Sequence, residues 1–219
     1  MDSICLVIPM KCPQFAKQRL ATCLPNAERE TLAISLFRNT LAFFQTHFPR
    51  LQVMVISASS DMLALASAYS AETLLEEGNT GLNGALSQAC QWVEKAGFSH
   101  QLIIPSDIAL LDQNEISTLL HTARCYQVVV ANAKDGGTNA LMTSPPSAIP
   151  FHYGENSAAK HSEDAQRLGL AYCQLDLVNL SQDIDQGDDL ARAIAQQPER
   201  FLARYSLSVN PFSKERVYA

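Results

Sequence analysis

The first part of this chain carries the residue types that bind phosphates. No acidic residue occurs between Asp2 and Glu28, although the formal net charge of the whole chain is -6. Lys11, Lys17 and Arg19 lie in this window, directly after an apolar run. Cations bind polyphosphate, and an arginine can hold one phosphate through two parallel hydrogen bonds. The pattern predicts a phosphate-binding loop after the first strand, where a solvated surface loop is the alternative.

Carboxylates later in the chain are candidate metal ligands. Asp107 follows the apolar run QLIIP, where it is either an ordinary turn aspartate or a ligand of Mg²⁺, which prefers oxygen atoms. Asp183 and Asp185 alternate in the segment DIDQGDD, so an extended backbone points both to one side, where a cation would offset their repulsion. We favour Asp185 as a ligand and rank Asp183 below it. Asp188 and Asp189 are interpreted as acids in the first turn of a helix.

Three glycine-containing segments are candidate binding sites for other parts of a ligand. A Gly-Gly turn precedes Thr138, and glycines let backbone N–H groups approach an anion closely. Gly154 precedes a predicted helix whose N-terminus includes Ser157, which is suited both to capping and to binding an anion. Gly81 and Asn83 begin another predicted helix, where the lack of bulk would admit a base or a ribose. Each segment is also explained by an ordinary turn or cap.

Composition and missing motifs exclude several classes of function. The sequence has no HExxH, Walker P-loop or GxGxxG motif and no Ser-His-Asp order, which disfavours hydrolases, zinc proteases, P-loop kinases and dinucleotide-dependent dehydrogenases. The acidic net charge argues against nucleic acids and anionic membranes as partners. We expect no membrane span and no signal peptide. The six cysteines form no CxxC pair and are interpreted as reduced thiols of a cytoplasmic protein.

Strand-like and helix-like segments alternate along the chain and predict how these residues are brought together. Predicted strands cover residues 4–9, 51–57, 73–75, 101–105, 127–131, 139–143 and 171–175. Predicted helices cover residues 25–48, 60–69, 81–96, 113–124, 156–168 and 188–195, with Asn26 as a cap of the first. This order implies parallel strands joined by right-handed crossovers. We expect one α/β domain over residues 1–219, a three-layer α/β/α fold with a mostly parallel central sheet, whose core spans about 3–196 before a tail at 197–219.

Four of the chemically rich segments follow predicted strands. They are residues 11–19, 105–111, 134–139 and 183–189. Ligands of such sheets bind beyond the carboxyl ends of the strands. We therefore expect these four segments to form a single site.

Motifs in a fixed order resemble the phospholactate guanylyltransferase family. They are IPMK, AKQRLA, GLNGAL, IPSDIALL, GGTNAL, PFHYGENS and DIDQGDDL, and they span about residues 4–190. GTNAL and YGENS are the specific pair, whereas the first-strand motif is shared with molybdenum-cofactor guanylyltransferases and sugar-nucleotide pyrophosphorylases. The chain departs from the family pattern at Ser106 and Ala109, at residues 186–188, and in a shorter turn before Thr138. These departures put the choice of acceptor in question.

The resemblance implies a Rossmann-like nucleotidyltransferase of the GT-A-like type that uses GTP and Mg²⁺. The implied catalytic residues are Lys17, Arg19, Asp107 and Asp185. The implied nucleotide-binding residues are Lys11, Lys17, Arg19, Gly81 and Asn83. The implied acceptor-binding residues are Thr138, Gly154 and Ser157. The implied metal ligands are Asp107 and Asp185, with Asp183 ranked below them.

The resemblance also implies the reaction. GMP would move from GTP onto the phosphate of a small phosphorylated acid, with release of pyrophosphate, in the synthesis of the deazaflavin coenzyme F-420. The sequence leaves open whether the acid is 2-phospho-L-lactate, phosphoenolpyruvate or 3-phospho-D-glycerate. The alternatives are a transferase acting on molybdopterin or a sugar phosphate, a glycosyltransferase using the DxD pattern, and a non-catalytic nucleotide sensor. The oligomeric state, a homodimer included, is also left open.

Overall fold

A seven-stranded sheet organises the chain in the computed structural model, which describes residues 3–78, 80–196 and 198. The strands are β1 (Ile4–Pro9), β2 (Gln52–Ser57), β3 (Glu72–Leu75), β4 (His100–Ile103), β5 (Val128–Asn132), β6 (Thr138–Thr143) and β7 (Tyr172–Leu175). Their order in the sheet is β3-β2-β1-β4-β6-β5-β7. All neighbouring strands are parallel except β6, which runs antiparallel to both β4 and β5.

Helices cover both faces of this sheet. They are α1 (Asn26–His47), α2 (Ser60–Ser67), α3 (Gly81–Lys95), α4 (Gln113–Thr122), α5 (Ser157–Arg167) and α6 (Gly187–Gln196). Successive side chains of a strand point to opposite faces. Leu6 and Ile8 of β1 accordingly pack with apolar residues of α1, α2 and α4, whereas Cys5 and Val7 pack with those of α3 and α5. The two cores confirm the predicted three-layer α/β/α arrangement.

The local sequence patterns predicted every strand and α-helix in this list, with ends that differ by one or two residues. The Asn26 cap was wrong, because Pro25 occupies the N-cap position without a side-chain bond and Asn26 instead bonds to Arg29 and Glu30. Two short 3₁₀ turns after β1, Pro13–Phe15 and Gln18–Leu20, were not predicted. The predicted tail lies outside the described residues, apart from position 198. Among the helices of the described part, none has the length and apolar character needed to cross a membrane.

The reversed direction of β6 places its first residues next to the candidate site. Ile103, at the end of β4, pairs with Leu141, so Thr138 and Asn139 extend past the carboxyl end of β4. A parallel strand in this position would have its last residues there instead. The antiparallel strand therefore delivers the start of the GTNAL motif to the edge at which β1 and β4 end.

Candidate active site

Three carboxylates meet at the carboxyl edge of the sheet. Asp107, Asp183 and Asp185 each contribute an oxygen atom, and these atoms all lie within 4.8 Å of one another. The backbone brings them together, because Ile108 and Asp183 form an antiparallel bridge and the N–H of Ile184 donates to the carbonyl of Asp107. Asp183 therefore belongs to the same cluster as the two acids that the sequence ranked above it.

Lys17 is the buried countercharge of this acid cluster. Its Nζ lies 2.6 Å from Asp107 Oδ2 and 3.7 Å from Asp185 Oδ1, and its side chain is only 4% exposed. Burial by itself would lower the pKa of Lys17, but the carboxylates around it outweigh burial and raise that pKa. The ammonium group is therefore charged at neutral pH. The backbone of Lys17 is left-handed, with φ 53°, a conformation that costs a residue with a side chain about 1–3 kcal/mol and is concentrated at functional sites.

Arg19 and Lys11 are two further cations of the same loop, and both are exposed to solvent. Arg19 Nη1 lies 3.1 Å from Asp185 Oδ2, and the Arg19 side chain is 66% exposed. Lys11 is exposed and forms no ion pair with any described residue. Three ionised carboxylates against Lys17 and Arg19 leave one net negative charge in the cluster. The geometry offers an anionic pocket flanked by cations that can face solvent.

Asp183 is the acid of the cluster whose surroundings disfavour its charge. Burial, together with the nearby charge of Asp107, raises the pKa of Asp183 to about 6. Asn139 fixes the position of the Asp183 carboxylate. Its Nδ2 donates to Asp183 Oδ1 at 3.2 Å and to the carbonyl of Leu180 at 3.0 Å. The carboxylate of Glu115 accepts the N–H of Leu180 at 2.9 Å. The turn that leads to Asp183 is thus fixed from both β6 and α4.

The chemistry of this donor set suits a magnesium ion. Mg²⁺ takes oxygen ligands and is usually bound by one or two carboxylates that share it with substrate phosphates and water. The cluster supplies the carboxylate oxygens and an excess of negative charge that a divalent cation would offset. Asp189 of α6 accepts the backbone N–H groups of Asp185 and Gln186, which precede the helix. Asp188 and Asp189 both lie in the first turn of this helix, as predicted.

Thr138 and Ser157 form a second group of polar side chains beside the acid cluster. Thr138 Oγ1 lies 2.9 Å from Ser157 Oγ and 3.1 Å from His161 Nδ1, and all three side chains are buried. Gly154, with φ 132°, accepts the backbone N–H of Ser157 at 3.2 Å. The three predicted acceptor-binding residues therefore lie together. We call Thr138, Gly154, Ser157 and His161 the hydroxyl site.

The backbone N–H groups near the hydroxyl site already donate hydrogen bonds within the protein, which the sequence did not indicate. The N–H of Ser157 is bonded to Gly154, and the N–H of Ala158 donates to the carbonyl of Gly136 at 3.2 Å. Two of the N–H groups at the N-terminus of α5 are thus engaged by protein carbonyls. The second of these bonds joins the Gly-Gly turn to α5, so the two segments predicted to bind anions are adjacent.

Asn83 holds the loop that precedes α5. Its Nδ2 donates to the carbonyl of Tyr153 at 3.1 Å, and its Oδ1 accepts the N–H of Tyr153 at 2.8 Å. Both ends of the amide are therefore engaged by the backbone of one residue. Gly81 begins α3, the helix that contains Asn83, with φ 69°. The geometry gives Asn83 a positioning contact, and its assignment to nucleotide binding stays a prediction.

Two consecutive residues of β6 link the acid cluster to the hydroxyl site. Thr138 bonds to Ser157 and His161 on the α5 side, whereas Asn139 bonds to Asp183 on the opposite side. This follows from the alternation of side chains along a strand. All four segments predicted to form one site do meet here. Sequence reasoning missed Asn139 and His161, although the position of His161 four residues after Ser157 would have placed both on one face of a helix.

The sequence matches known proteins along most of its length. A family model described as "Guanylyl transferase CofC like" matches residues 4–216. The chain is 42% identical over 186 residues to the 3-phospho-D-glycerate guanylyltransferase of Colwellia psychrerythraea (84% of this chain, 88% of the relative). It is 34% identical over 211 residues to the 2-phospho-L-lactate guanylyltransferase of Methanothermobacter thermautotrophicus (94% and 93%). It is 35% identical over 192 residues to the phosphoenolpyruvate guanylyltransferase of Roseiflexus castenholzii (88% of each).

Solved structures with a similar fold are more distant in sequence. A protein of Desulfovibrio desulfuricans G20 assigned to the nucleotide-diphospho-sugar transferases has a TM-score of 0.71 at 18% identity, covering 94% of each chain. The glucosyl-3-phosphoglycerate synthase of Mycobacterium tuberculosis, solved with Mn²⁺, UDP and glucosyl-3-phosphoglycerate, has a TM-score of 0.59 at 14% identity (95% of this chain, 82% of that chain). These likenesses confirm the predicted GT-A-like nucleotidyltransferase fold.

Proposed function

Because the chain belongs to the CofC-like guanylyl transferase family and is a nucleotidyltransferase, we propose that it transfers GMP from GTP to the phosphate of a small phosphorylated carboxylic acid. The observation that carries this proposal is the contact between the two halves of the site. Asn139 binds Asp183 of the acid cluster, and the preceding residue, Thr138, binds Ser157 of the hydroxyl site. This contact supports adjacent places for a donor triphosphate and an acceptor anion.

The proposed reaction requires no general base. The second pKa of a phosphomonoester is about 6, so the acceptor phosphate is largely dianionic at neutral pH. One of its oxygens attacks the α-phosphorus of GTP and forms a new P–O bond. The bond from the α-phosphorus to the oxygen bridging to the β-phosphorus breaks, and its electron pair leaves with pyrophosphate. No proton has to be removed from the nucleophile.

The work of the protein is to align two anions and offset their repulsion. Lys11, Lys17 and Arg19 supply positive charge, and Lys17 also keeps Asp107 in place through the 2.6 Å contact. Asp107 and Asp185, joined by Asp183, would hold Mg²⁺, which when bound neutralises phosphate charge. We place GTP at the end of β1, where Gly81 and Asn83 of α3 are assigned to its nucleoside.

The acceptor is assigned to Thr138, Gly154 and Ser157. Three relatives are named for three different acids, namely 3-phospho-D-glycerate, 2-phospho-L-lactate and phosphoenolpyruvate. All three are carboxylates bearing one phosphate, and small changes in a pocket can switch among such substrates. We propose one of these acids as the acceptor, and a cytoplasmic role in supplying the guanylylated precursor of coenzyme F-420.

Product analysis tests this function directly. The purified protein is incubated with Mg²⁺, GTP and each of the three acids in turn, and products are identified by mass spectrometry alongside pyrophosphate release. We expect a guanylylated acid with at least one acceptor, and no adenylylated or cytidylylated acid when ATP or CTP replaces GTP. Absence of a guanylylated product with all three acids would overturn the acceptor assignment. Pyrophosphate release without any acid would point to another nucleophile.

A further inference from the structure

His161 is the buried titratable residue of the hydroxyl site, and the proposed reaction does not use it. Its Nε2 lies 3.0 Å from the backbone nitrogen of His152, whose N–H points at it. A backbone N–H can only donate, so Nε2 is the acceptor and carries no proton. Burial, followed by the effect of the neighbouring His152, lowers the pKa of His161 to about 4. The ring is therefore neutral at pH 7, with its single proton on Nδ1.

This tautomer sets the direction of the other hydrogen bonds. Nδ1–H donates to Thr138 Oγ1, 3.1 Å away. Thr138 has one hydroxyl proton, and its other side-chain partner among the described residues is Ser157 Oγ at 2.9 Å. Thr138 therefore donates to Ser157. The proton of Ser157 is then left without an acceptor in the described part of the chain.

The opposite tautomer would reverse this chain of bonds. Thr138 would donate to Nδ1, Ser157 would donate to Thr138, and Ser157 would present only lone pairs to an incoming group. An oxyanion is attracted by a hydrogen-bond donor and repelled by lone pairs. The backbone N–H of His152 fixes the tautomer of His161. This tautomer decides whether Ser157 presents a hydrogen-bond donor or only lone pairs to a ligand.

We propose that His161 is a positioning residue that makes Ser157 a hydrogen-bond donor to the acceptor acid. The identity of that ligand rests on the proposed function, and the group bound is an oxyanion, either the carboxylate or the phosphate. Ser157 is 1% exposed and lies directly after the exposed residues 154–156, and we place the entry of the ligand at this segment. A buried donor without an acceptor is unfavourable, and an oxyanion that accepts the bond removes that cost.

Two substitutions of His161 separate the polarity of the bonds from the packing of the ring. In His161→Asn, the amide nitrogen can replace Nδ1 and still donate to Thr138. In His161→Gln, the amide oxygen can replace Nε2 and accept the N–H of His152, but the donor to Thr138 is lost. We expect His161→Gln to raise the KM of the acceptor about tenfold while the KM of GTP changes less than about twofold. His161→Asn should recover most of the acceptor binding.

Substrate fragments identify which oxyanion Ser157 binds. Glycerol 3-phosphate lacks the carboxylate of 3-phospho-D-glycerate, and D-glycerate lacks its phosphate. If Ser157 binds the carboxylate, His161→Gln weakens binding of D-glycerate and leaves that of glycerol 3-phosphate unchanged. The reverse pattern assigns the phosphate. Equal losses in His161→Asn and His161→Gln, or a loss confined to GTP, would overturn the proposal.

Nitrogen NMR of the histidine side chains provides a readout that does not depend on activity. With ¹⁵N-labelled histidine, Nδ1 of His161 should give a protonated, pyrrole-type signal and Nε2 an unprotonated, pyridine-type signal in the unliganded protein. The opposite pattern would overturn the proposed polarity even in an active enzyme. If instead none of the acids is guanylylated and the predicted tautomer is observed, the proposed function fails while the bonding within the hydroxyl site stands.

Discussion

Replacing Lys17 by methionine tests whether one buried ammonium group holds the acid cluster together. The substitution keeps the length of the side chain and leaves Asp107 without the partner that lies 2.6 Å away. Removing one member of a buried ion pair costs about 3–5 kcal/mol. Asp107 and Asp185 retain 29% and 41% side-chain exposure, so water can solvate them in part. We therefore expect a loss near the lower end, about 3 kcal/mol of the free energy of unfolding at pH 7 without metal.

Arg19→Met is the matched control for this substitution. It removes one positive charge from the same cluster, where Arg19 contacts Asp185 at 3.1 Å. The Arg19 side chain is 66% exposed, and exposed ion pairs contribute only about 0.2–1 kcal/mol. Each variant makes the formal net charge one unit more negative than -6. A difference of about 2 kcal/mol between them therefore reports burial and not overall charge.

Urea denaturation followed by circular dichroism measures both losses, first in EDTA and then in excess Mg²⁺. The slope of the free energy against urea checks that both variants unfold from a native-like state. A cation that binds only the folded protein stabilises it, so Mg²⁺ should restore part of the Lys17→Met loss. Equal losses in the two variants would refute the reasoning, as would a Lys17→Met loss below about 1 kcal/mol.

Three further predictions address single residues of the site. Asp107→Asn should preserve the circular dichroism spectrum and lower turnover by at least about 10²-fold, and unchanged turnover would contradict its role as a metal ligand. His161, whose pKa is about 4 in the fold and 6.5 in a free side chain, binds its proton more readily when unfolded. The contribution of His161 to the free energy of unfolding should therefore fall by about 2 kcal/mol between pH 7 and pH 5, whereas Asp183, whose pKa is raised, acts in the opposite direction in every variant that keeps it. The difference in stability between the native protein and His161→Asn isolates the His161 contribution and should change by that amount in urea titrations at the two pH values; equal pH dependence of the two proteins would exclude this assignment. Asn83→Ala removes both bonds to Tyr153 and should cost about 1–2 kcal/mol and raise the KM of GTP, to whose nucleoside Asn83 is assigned, whereas an effect confined to the KM of the acceptor would contradict that assignment.

The fold and the location of the site were predictable because their signals are local or follow from topology. Apolar runs and helical periodicity are read from neighbouring residues, and they placed every strand and α-helix to within one or two residues. The rule that ligands bind beyond the carboxyl ends of strands then brought the four segments together. The alternation of Asp183 and Asp185 also predicted correctly that both side chains reach one cluster.

Other features depend on contacts between distant parts of the chain and left no local signal. Nothing in the sequence around Lys17 indicates its left-handed backbone, which lies between the two 3₁₀ turns, or the contact of its side chain with Asp107, 90 residues later. Asn83 looked like an open position for a nucleoside, yet its amide is engaged by Tyr153, 70 residues later. Whether His161 donates to or accepts from Thr138 depends on the backbone of His152, which no motif encodes.

The direction of β6 explains why one dipeptide can serve both halves of the site. Thr138 and Asn139 are the first residues of a six-residue strand; if β6 ran parallel to β4, they would lie at the other edge of the sheet, about 17–20 Å away. A shift by one residue would exchange their faces and send Thr138 toward Asp183. The register irregularity of β5 at Ala131 and Asn132 lies beside these residues, so the turn between the strands can vary while the pairing from Ala140 onward is kept. Changes in that turn can therefore reach the hydroxyl site through Thr138 and the acid cluster through the bond from Asn139 to Asp183.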